Sequence, residues 1–413
     1  MKRHEKLLRD EGGNALVTVL VVVALLIILG TISLNSTIGE LQVSGNEKRQ
    51  RLAFYAAESG LEYARAVIRR EFLAATNKNT FVSNFATSPP NLTAPTGISF
   101  TVAPNGAASG TGTSSDPYVF RVISEGFGPV NSSAEVEAVF NLVLPDSPIK
   151  YAAFGDELVK FKNHADIFSY DHTVTSNPSA ASSTSEGDIF SNGAIDIKNQ
   201  GTIDGDIMVA TADMTLGNVT VLGDQTTYAE TETPDPLGIL NNGLLDSRFT
   251  SATLANNNDD PSISPYVTGT TAAPVLNLDT TVTLPAGDYY FSSITLGTNA
   301  NIIITGEVNI YLDGPLTTGN NTLLNSTGIP TNFSIYSRSD QPLYFQNNTN
   351  FRGLIYAPNA PVTFKNNLVL YGSVFANILE FQNGADIYYD TQMKYKFFSP
   401  GDIHLPIVAW RQL

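Results

Sequence analysis

The sequence predicts a mainly β protein with one long N-terminal helix. The helix packs on a small antiparallel sheet, and a parallel β-helix (a β-solenoid) follows. Three observations predict this. Residues 15–34 form an uncharged apolar run. A motif of two short alternating strands joined at an asparagine recurs through residues 149–390. Only 15% of residues are charged, while 32 glycines and abundant Asn, Ser and Thr suit strands linked by tight turns.

The 413 residues include 39 acidic and 23 basic side chains, a net charge of −16. A nucleic-acid binder needs basic surface to displace counterions from phosphate, so no nucleic-acid partner is expected. Cysteine is absent, which excludes disulfides, thiolate metal sites and cysteine nucleophiles. The charge is uneven. Residues 1–71 hold 10 basic and 8 acidic side chains, and residues 72–413 hold 13 and 31.

The first element is the run ALVTVLVVVALLIILGTISL, whose only polar side chains are Thr18, Thr31 and Ser33. Twenty residues at about 1.5 Å each span the roughly 30 Å of a bilayer core. Lys2, Arg3, Lys6 and Arg9 precede it and favour a cytoplasmic N-terminus, with the C-terminus outside. A cleaved secretory signal would be shorter and end at a small-x-small site, which is missing here. Residues 35–75 continue with apolar residues at three- and four-residue steps. One helix is therefore expected over 14–75, membrane-spanning and then amphipathic, with melting near Ser44–Asn46 beside Gly45.

Here a resemblance enters. A short basic leader ends in Gly13, an apolar helix starts directly after it, and the helix runs into AFYAAESGLEYA (residues 53–64). This arrangement resembles the N-terminus of type IV pilin-like proteins, in particular the PilX-type minor pilin or pilus-assembly family. Its most specific part is Ala56, Ala57, Glu58, Ser59, Gly60 and Leu61. The resemblance implies cleavage by a prepilin peptidase between Gly13 and Asn14, and insertion of the helix among those of other pilins. Two positions depart from the pattern: Asn14 stands where pilins have an apolar residue, and Thr18 where major pilins carry a glutamate. A carboxylate in lipid needs a partner charge, so its absence suits a special filament position or low copy number.

A loop rich in Pro, Asn and Gly (Thr76–Thr96) leads to three alternating segments, Ile98–Ala103, Tyr118–Phe127 and Ala134–Leu144. Their period of two predicts half-buried antiparallel strands, for which an amphipathic helix is the simplest packing partner.

The repeat is clearest in IDIKNQGTIDGDIMV (195–209), LYFQNNTNFRGLIYA (343–357), VTFKNNLVLYGSVFA (362–376), LEFQNGADIYY (379–389) and VKFKNHADIF (159–168). One unit cannot bury its own apolar residues, but stacked units can. Phe345, Phe364 and Phe381 would form a ladder, and Gly205, Gly353 and Gly372 hold equivalent positions. Asn163, Asn199, Asn347, Asn366 and Asn383 share one turn position. Asparagine tolerates left-handed backbone there, and its amide can bond to the next coil. A stack of about ten coils, roughly 45–50 Å long, is expected. A β-sandwich is the competing arrangement. Residues 230–265 interrupt the repeat and read as a surface insertion, with a short helix within 237–249 and a binding-loop role open.

No G-x-S-x-G, P-loop or H-E-x-x-H motif occurs. No catalytic residue, metal ligand or cofactor is assigned. The weaker candidates are Asp204 with Asp206 as an acid–base pair, the cluster His164, Asp166, Asp171 and His172, and Asn256–Asp260 as oxygen donors for calcium. Tyr289, Tyr290, Tyr311, Tyr336, Tyr344, Tyr356, Tyr371, Tyr388 and Tyr389 recur in the strands, and outward ones would suit a glycan or protein surface.

The expected organisation is a leader (1–13), helix (14–75), small sheet (76–148), solenoid (149–395) and tail (396–413). The expected function is a pilus component, not an enzyme. It would sit in the bacterial inner membrane as a single-pass protein before joining the pilus or cell surface. Its partners would be other pilins and prepilin peptidase, and its head would serve assembly initiation or adhesion at the tip. The alternative is a membrane-anchored surface protein that binds or cleaves polysaccharide.

Overall fold

The structure is a computed structural model. It describes the chain except residues 1–4, 76, 94–98, 114–115, 242 and 399–402, and the side chains of residues 5–14. The first and last residues of the expected sheet loop, Thr76 and Thr96, and Ile98 lie outside the described residues. The chain forms two units, residues 1–145 with 399–413, and residues 146–398.

In the first unit, α1 (Glu5–Ala74) is one continuous helix. The expected melting at Ser44–Asn46 does not occur. A glycine costs a helix about 1 kcal/mol, too little to break so long a hydrogen-bonded run. Every large apolar side chain from Leu16 to Leu34 is exposed. Further along, Ala53, Ala57, Leu61, Ala64, Ile68 and Phe72 recur every three or four residues and are buried. They face a sheet of β1 (Phe100–Pro104), β2 (Tyr118–Phe127), β3 (Ser133–Leu142) and β4 (Ile407–Gln412), all antiparallel and in that order. A short helix, α2 (Lys78–Ser83), adds Phe81 beside the rings of Phe72 and Phe120.

The expected tail of residues 396–413 ends in a strand. Its last part is β4, whose Arg411 lies opposite Glu137 of β3. The Arg411 guanidinium donates to Glu137 Oε2 at 2.5 Å, and Asn105 donates to Oε1 at 2.7 Å. These bonds, Arg411 first, hold the buried Glu137 carboxyl below the usual carboxylate range. IVAWRQ is short and carries little alternation, so the sequence alone does not mark it as a strand.

The second unit is a stack of parallel strands, not a sandwich. One column reads Leu276, Ile294, Leu316, Leu343, Val362, Leu379, Val159, Ile195 and Met214, nine rungs among the described residues where about ten coils were expected. At about 4.8 Å per rung it extends roughly 38 Å. The order of residue numbers shows that the chain does not build the stack from end to end. It enters in the interior at Ala153–Phe161, runs outward to Gln225–Thr226, and returns through residues 227–266. It then restarts at the opposite end with Ala273–Leu278 and closes onto its own first coil through Val374–Phe381. Phe381 stacks on Phe161 at 4.3 Å and Phe375 on Phe154 at 4.7 Å, across more than 200 residues of sequence.

The returning segment is the expected insertion. Its helix α3 spans Leu244–Leu254, and the segment covers one outer face of the stack. That face carries a column of Tyr290, Tyr311, Tyr336, Tyr356, Phe375, Phe154 and Phe190. Phe249 of α3 packs edge-on against Tyr290 and Tyr311. Alternation would turn these rings to solvent, and the segment buries them.

Candidate functional site

The motif at residues 56–61 is a close-packing device. Ala57, Gly60 and Leu61 are buried, while Glu58 and Ser59 are exposed. A Cβ on Gly60 would stand 2.1 Å from Ser124 Oγ of β2. A Cβ on Gly126 would stand 2.1 Å from the Ala53 carbonyl oxygen. Small residues on both surfaces thus let helix and sheet approach more closely than a larger pair would permit. The backbone of Gly13 and Asn14 is helical, and the Asn14 side chain lies outside the described residues. Thr18 lies on the exposed apolar part of α1.

The turn asparagines form a hydrogen-bonded ladder. Asn366 donates to Asn347 Oδ1 at 2.6 Å, Asn383 to Asn366 at 2.5 Å, Asn163 to Asn383, and Asn199 to Asn163 at 2.7 Å. Asn320 extends it beyond Asn347 at 3.0 Å. Asn299, Asn321, Asn348 and Asn367 form a second ladder alongside. Of the five expected residues only Asn199 takes the left-handed backbone. After Asn347, Asn366 and Asn383 that task falls to the next residue, at Asn348, Asn367 and Gly384. The doubled asparagines in the repeat were the overlooked signal: one residue makes the rung and the other makes the turn.

Gly187, Gly205 and Gly223 stack at another corner, each followed by an aspartate. Asp188 Oδ1 accepts from the Asp206 backbone N–H at 2.7 Å, and Asp206 Oδ1 from Asp224 at 2.8 Å. Asp206 is therefore committed to a corner ladder rather than to acid–base work with Asp204, which is itself buried. Burial raises the Asp188 carboxyl to about 6, against the lowering effect of the Asp206 N–H.

The expected His/Asp cluster is two separate sets. His164 Nε2 lies 2.9 Å from Asp166 Oδ2, with Asp386 beside them. His172 Nδ1 lies 2.7 Å from Asp390 Oδ2, with Asp171 beside them. Each set offers three ligand atoms within 4.8 Å. In the second, Asp390 also accepts from the Gln392 backbone, and Asp171 Oδ2 from Gln392 Nε2. These bonds pin the excursion after Tyr170 to the end of the final coil. Asn257 and Asn258, expected as calcium donors, instead accept from the backbone N–H groups of Asp288 and Tyr290, tying the end of the insertion to a strand.

The tyrosines do not make an open binding face. Tyr289, Tyr290, Tyr311, Tyr336, Tyr356 and Tyr389 are buried. Tyr371 is covered on one ring face by the Arg352 guanidinium at 3.8 Å and stacks on Tyr388 at 5.2 Å. Tyr344 is 39% exposed.

Residues 12–62 match the family model described as PilX N-terminal. That segment is similar to the N-terminus of PilX-type minor pilins. Residues 293–395 match a domain of unknown function, DUF7305. The PilX N-terminal match supports a type IV pilus-related minor pilin, and suggests a structural rather than an enzymatic protein that interacts with other pilins. Together with the long apolar helix, it suggests membrane anchoring and a pilus. No curated protein matches the chain in sequence. Among solved structures, it is similar to the competence-associated pilin ComZ from Thermus thermophilus, at 10% identity and a TM-score of 0.36, covering 88% of this chain and 98% of that one. It is also similar to an ice binding protein from an Antarctic Biological Consortium, at 13% identity and a TM-score of 0.33, covering 60% and 91%. A glycosylated ice-binding protein from Arctic yeast matches at 15% identity and a TM-score of 0.32, covering 58% and 90%.

Proposed function

We propose that this protein is a low-copy pilin at or near the tip of a type IV pilus or related filament, where its solenoid initiates assembly or meets a surface. The observation that supports this most is α1. It exposes an unbroken apolar surface from Leu16 to Leu34 and then buries its opposite end under a sheet, as an anchor fixed to a head. Prepilin peptidase removes residues 1–13, leaving Asn14 as the new N-terminus. Before assembly the helix crosses the inner membrane once, with the head outside.

Size favours scarcity. A compact unit of 253 residues (146–398) has a radius of gyration of about 18 Å. Neighbouring subunits in a helical filament could not each carry such a unit without collision unless their axial steps were large. The missing carboxylate at Thr18 agrees with a subunit that does not follow the filament's ordinary contacts.

Mass spectrometry of the protein purified from its native membrane tests the reading. The expected mature N-terminus is Asn14, and Gly13→Leu should leave the leader attached and abolish filament incorporation. An uncleaved wild-type chain, or incorporation unaffected by that substitution, would overturn it.

A further inference from the structure

We propose that Asp171, His172 and Asp390, with the Tyr170 hydroxyl, form a binding site for a divalent transition-metal ion of the zinc type, which fastens the excursion after Tyr170 to the final coil of the solenoid. His172 and Asp390 are 218 residues apart in sequence. They meet because the strand Ala165–Tyr170 pairs with the last strand of the stack, in register up to Tyr170 opposite Asp390. One ligand atom from each of Asp171, His172 and Asp390 lies within 4.8 Å of the others. The Asp171 carboxylate is already oriented. Its Oδ1 accepts from the Thr173 backbone N–H at 2.9 Å and from Thr173 Oγ1 at 2.6 Å, and its Oδ2 accepts from Gln392 Nε2 at 3.0 Å. A carboxylate oxygen has two lone pairs, so these bonds do not use up its capacity to ligate.

Two independent observations point to a cation. The first is a buried charge. The Asp390 side chain is fully buried, and among the described residues its ion-pair partner is His172, with no lysine or arginine beside it. Burying a carboxylate is costly unless a cation offsets it. The second set, His164 with Asp166, is 47% and 30% exposed, so water serves its charges. The second observation is an orphan ligand. Tyr170 is fully buried, and its hydroxyl has no hydrogen-bond partner among the described residues. As register partners on adjacent coils, Tyr170 and Asp390 leave the sheet on the same side. Burial, and after it chiefly the Asp390 carboxylate, push this hydroxyl up, with a smaller share from Asp171. The opposing cation is Arg352, which stacks on Tyr371 at 3.8 Å and donates to the Ser176 carbonyl oxygen. Two carboxylates against one guanidinium leave this corner net negative. The imidazole selects the ion: calcium takes six to eight oxygens, whereas one nitrogen with carboxylates suits zinc. His172 Nδ1 lies 2.7 Å from Asp390 Oδ2. The pair parts by about half an ångström to admit an ion at about 2.0 Å from each, and the imidazole proton moves to Nε2. The link then joins the first coil to the last, and clips across so long a loop restrict the unfolded chain most.

The test is calorimetric titration of zinc ion into the full chain in detergent micelles, after dialysis against a chelator. Saturable binding is expected, weakened at least tenfold by His172→Gln and at least threefold by Tyr170→Phe, and unchanged by His164→Gln. Tyr170→Phe removes only an unpartnered hydroxyl, so it keeps the packing even if His172→Gln disturbs it, and circular dichroism checks both. Hydrogen exchange supplies a second readout. Zinc should slow it at residues 171–175 and 390–395 and leave the aspartate corner at residues 204–206 unchanged. Three results would overturn the proposal: no saturable binding, binding that survives both His172→Gln and Tyr170→Phe, or binding lost in His164→Gln instead. Calcium binding at this corner in preference to zinc would also overturn it. The site depends on neither leader cleavage nor filament entry, so it stands or falls apart from the filament reading.

Discussion

Gly60 of α1 lies so close to Ser124 of β2 that a single added methyl would stand 2.1 Å from the serine hydroxyl. That hydroxyl is buried and has no hydrogen-bond partner among the described residues. The contact sets how closely the pilin-type helix approaches its sheet. Alanine would gain up to about 1 kcal/mol in helix propensity, but overpacking typically costs about 1–3 kcal/mol. Gly60→Ala should therefore lower the stability of this unit by about 1–2 kcal/mol, read by thermal unfolding through Trp410 fluorescence. Ser124→Ala should be neutral or stabilising, because it removes an unsatisfied polar atom. Combined, the two changes should recover part of the loss, with the Phe100 ring, 3.0 Å from the added carbon, accounting for the rest. Additive effects would show that the clash lies elsewhere.

Much of this architecture was legible in the sequence, for reasons specific to each part. The apolar run and the three- and four-residue steps after it define α1, because helix period and bilayer thickness leave few other solutions. Strand alternation located β2, and the repeat located the Phe345, Phe364 and Phe381 ladder. The stacking order was not legible. A repeat says which residues are equivalent, not which coils touch, so the closure of Phe381 onto Phe161 could not be read from it. The covered tyrosine face was missed for a related reason. Alternation assigns an outward direction, and only the path of residues 227–266 decides whether outward means solvent. Strand β4 was missed because its partner β3 lies some 270 residues earlier.

The asparagine ladder has a directional logic that a charge would expose. Asn366 donates to Asn347 and accepts from Asn383. Aspartate can accept but not donate when ionised, so Asn366→Asp sets its carboxylate against the Asn347 carbonyl oxygen. It should cost about 2–3 kcal/mol at neutral pH, more than Asn366→Ala, which loses two bonds worth about 1 kcal/mol each. Acidification below about pH 4 protonates the new carboxyl and should restore part of the loss. Denaturant unfolding at pH 7 and pH 3.5 measures both, and an aspartate variant as stable as the alanine one at pH 7 would refute the directional ladder.

Asp188 gives a pH dependence of opposite sense to an ordinary paired carboxylate. Its folded carboxyl is raised to about 6, first by burial, while its reference value is 3.8. The folded state thus holds the proton more tightly. Its contribution to stability is greatest below about pH 4, declines as pH rises to about 6, and is constant above. Asp188→Asn keeps an acceptor for the Asp206 N–H but cannot ionise. It should stabilise the solenoid by about 1–2 kcal/mol at pH 7 and make no difference near pH 4. Chemical denaturation across that range reads the difference, and a variant less stable than wild type at pH 7 would show that the charge itself is needed.

Tyr356 ties the covering segment to the solenoid. Its hydroxyl donates to Asp235 Oδ1 at 2.7 Å and accepts from the Leu237 backbone N–H at 3.0 Å. Both the ring and Leu237 are buried. Tyr356→Phe keeps the ring in its column beside Phe375 but leaves the Leu237 N–H without a partner, which costs about 1–3 kcal/mol. The loss should be local, because the parallel ladders beneath do not pass through this hydroxyl. Hydrogen exchange should accelerate roughly tenfold or more across residues 232–254, with the strands at 333–337 and 354–356 unchanged. Equal acceleration in those strands would mean that the segment and the stack open as one cooperative unit, and that the cover is part of the solenoid's folding rather than a layer laid over it.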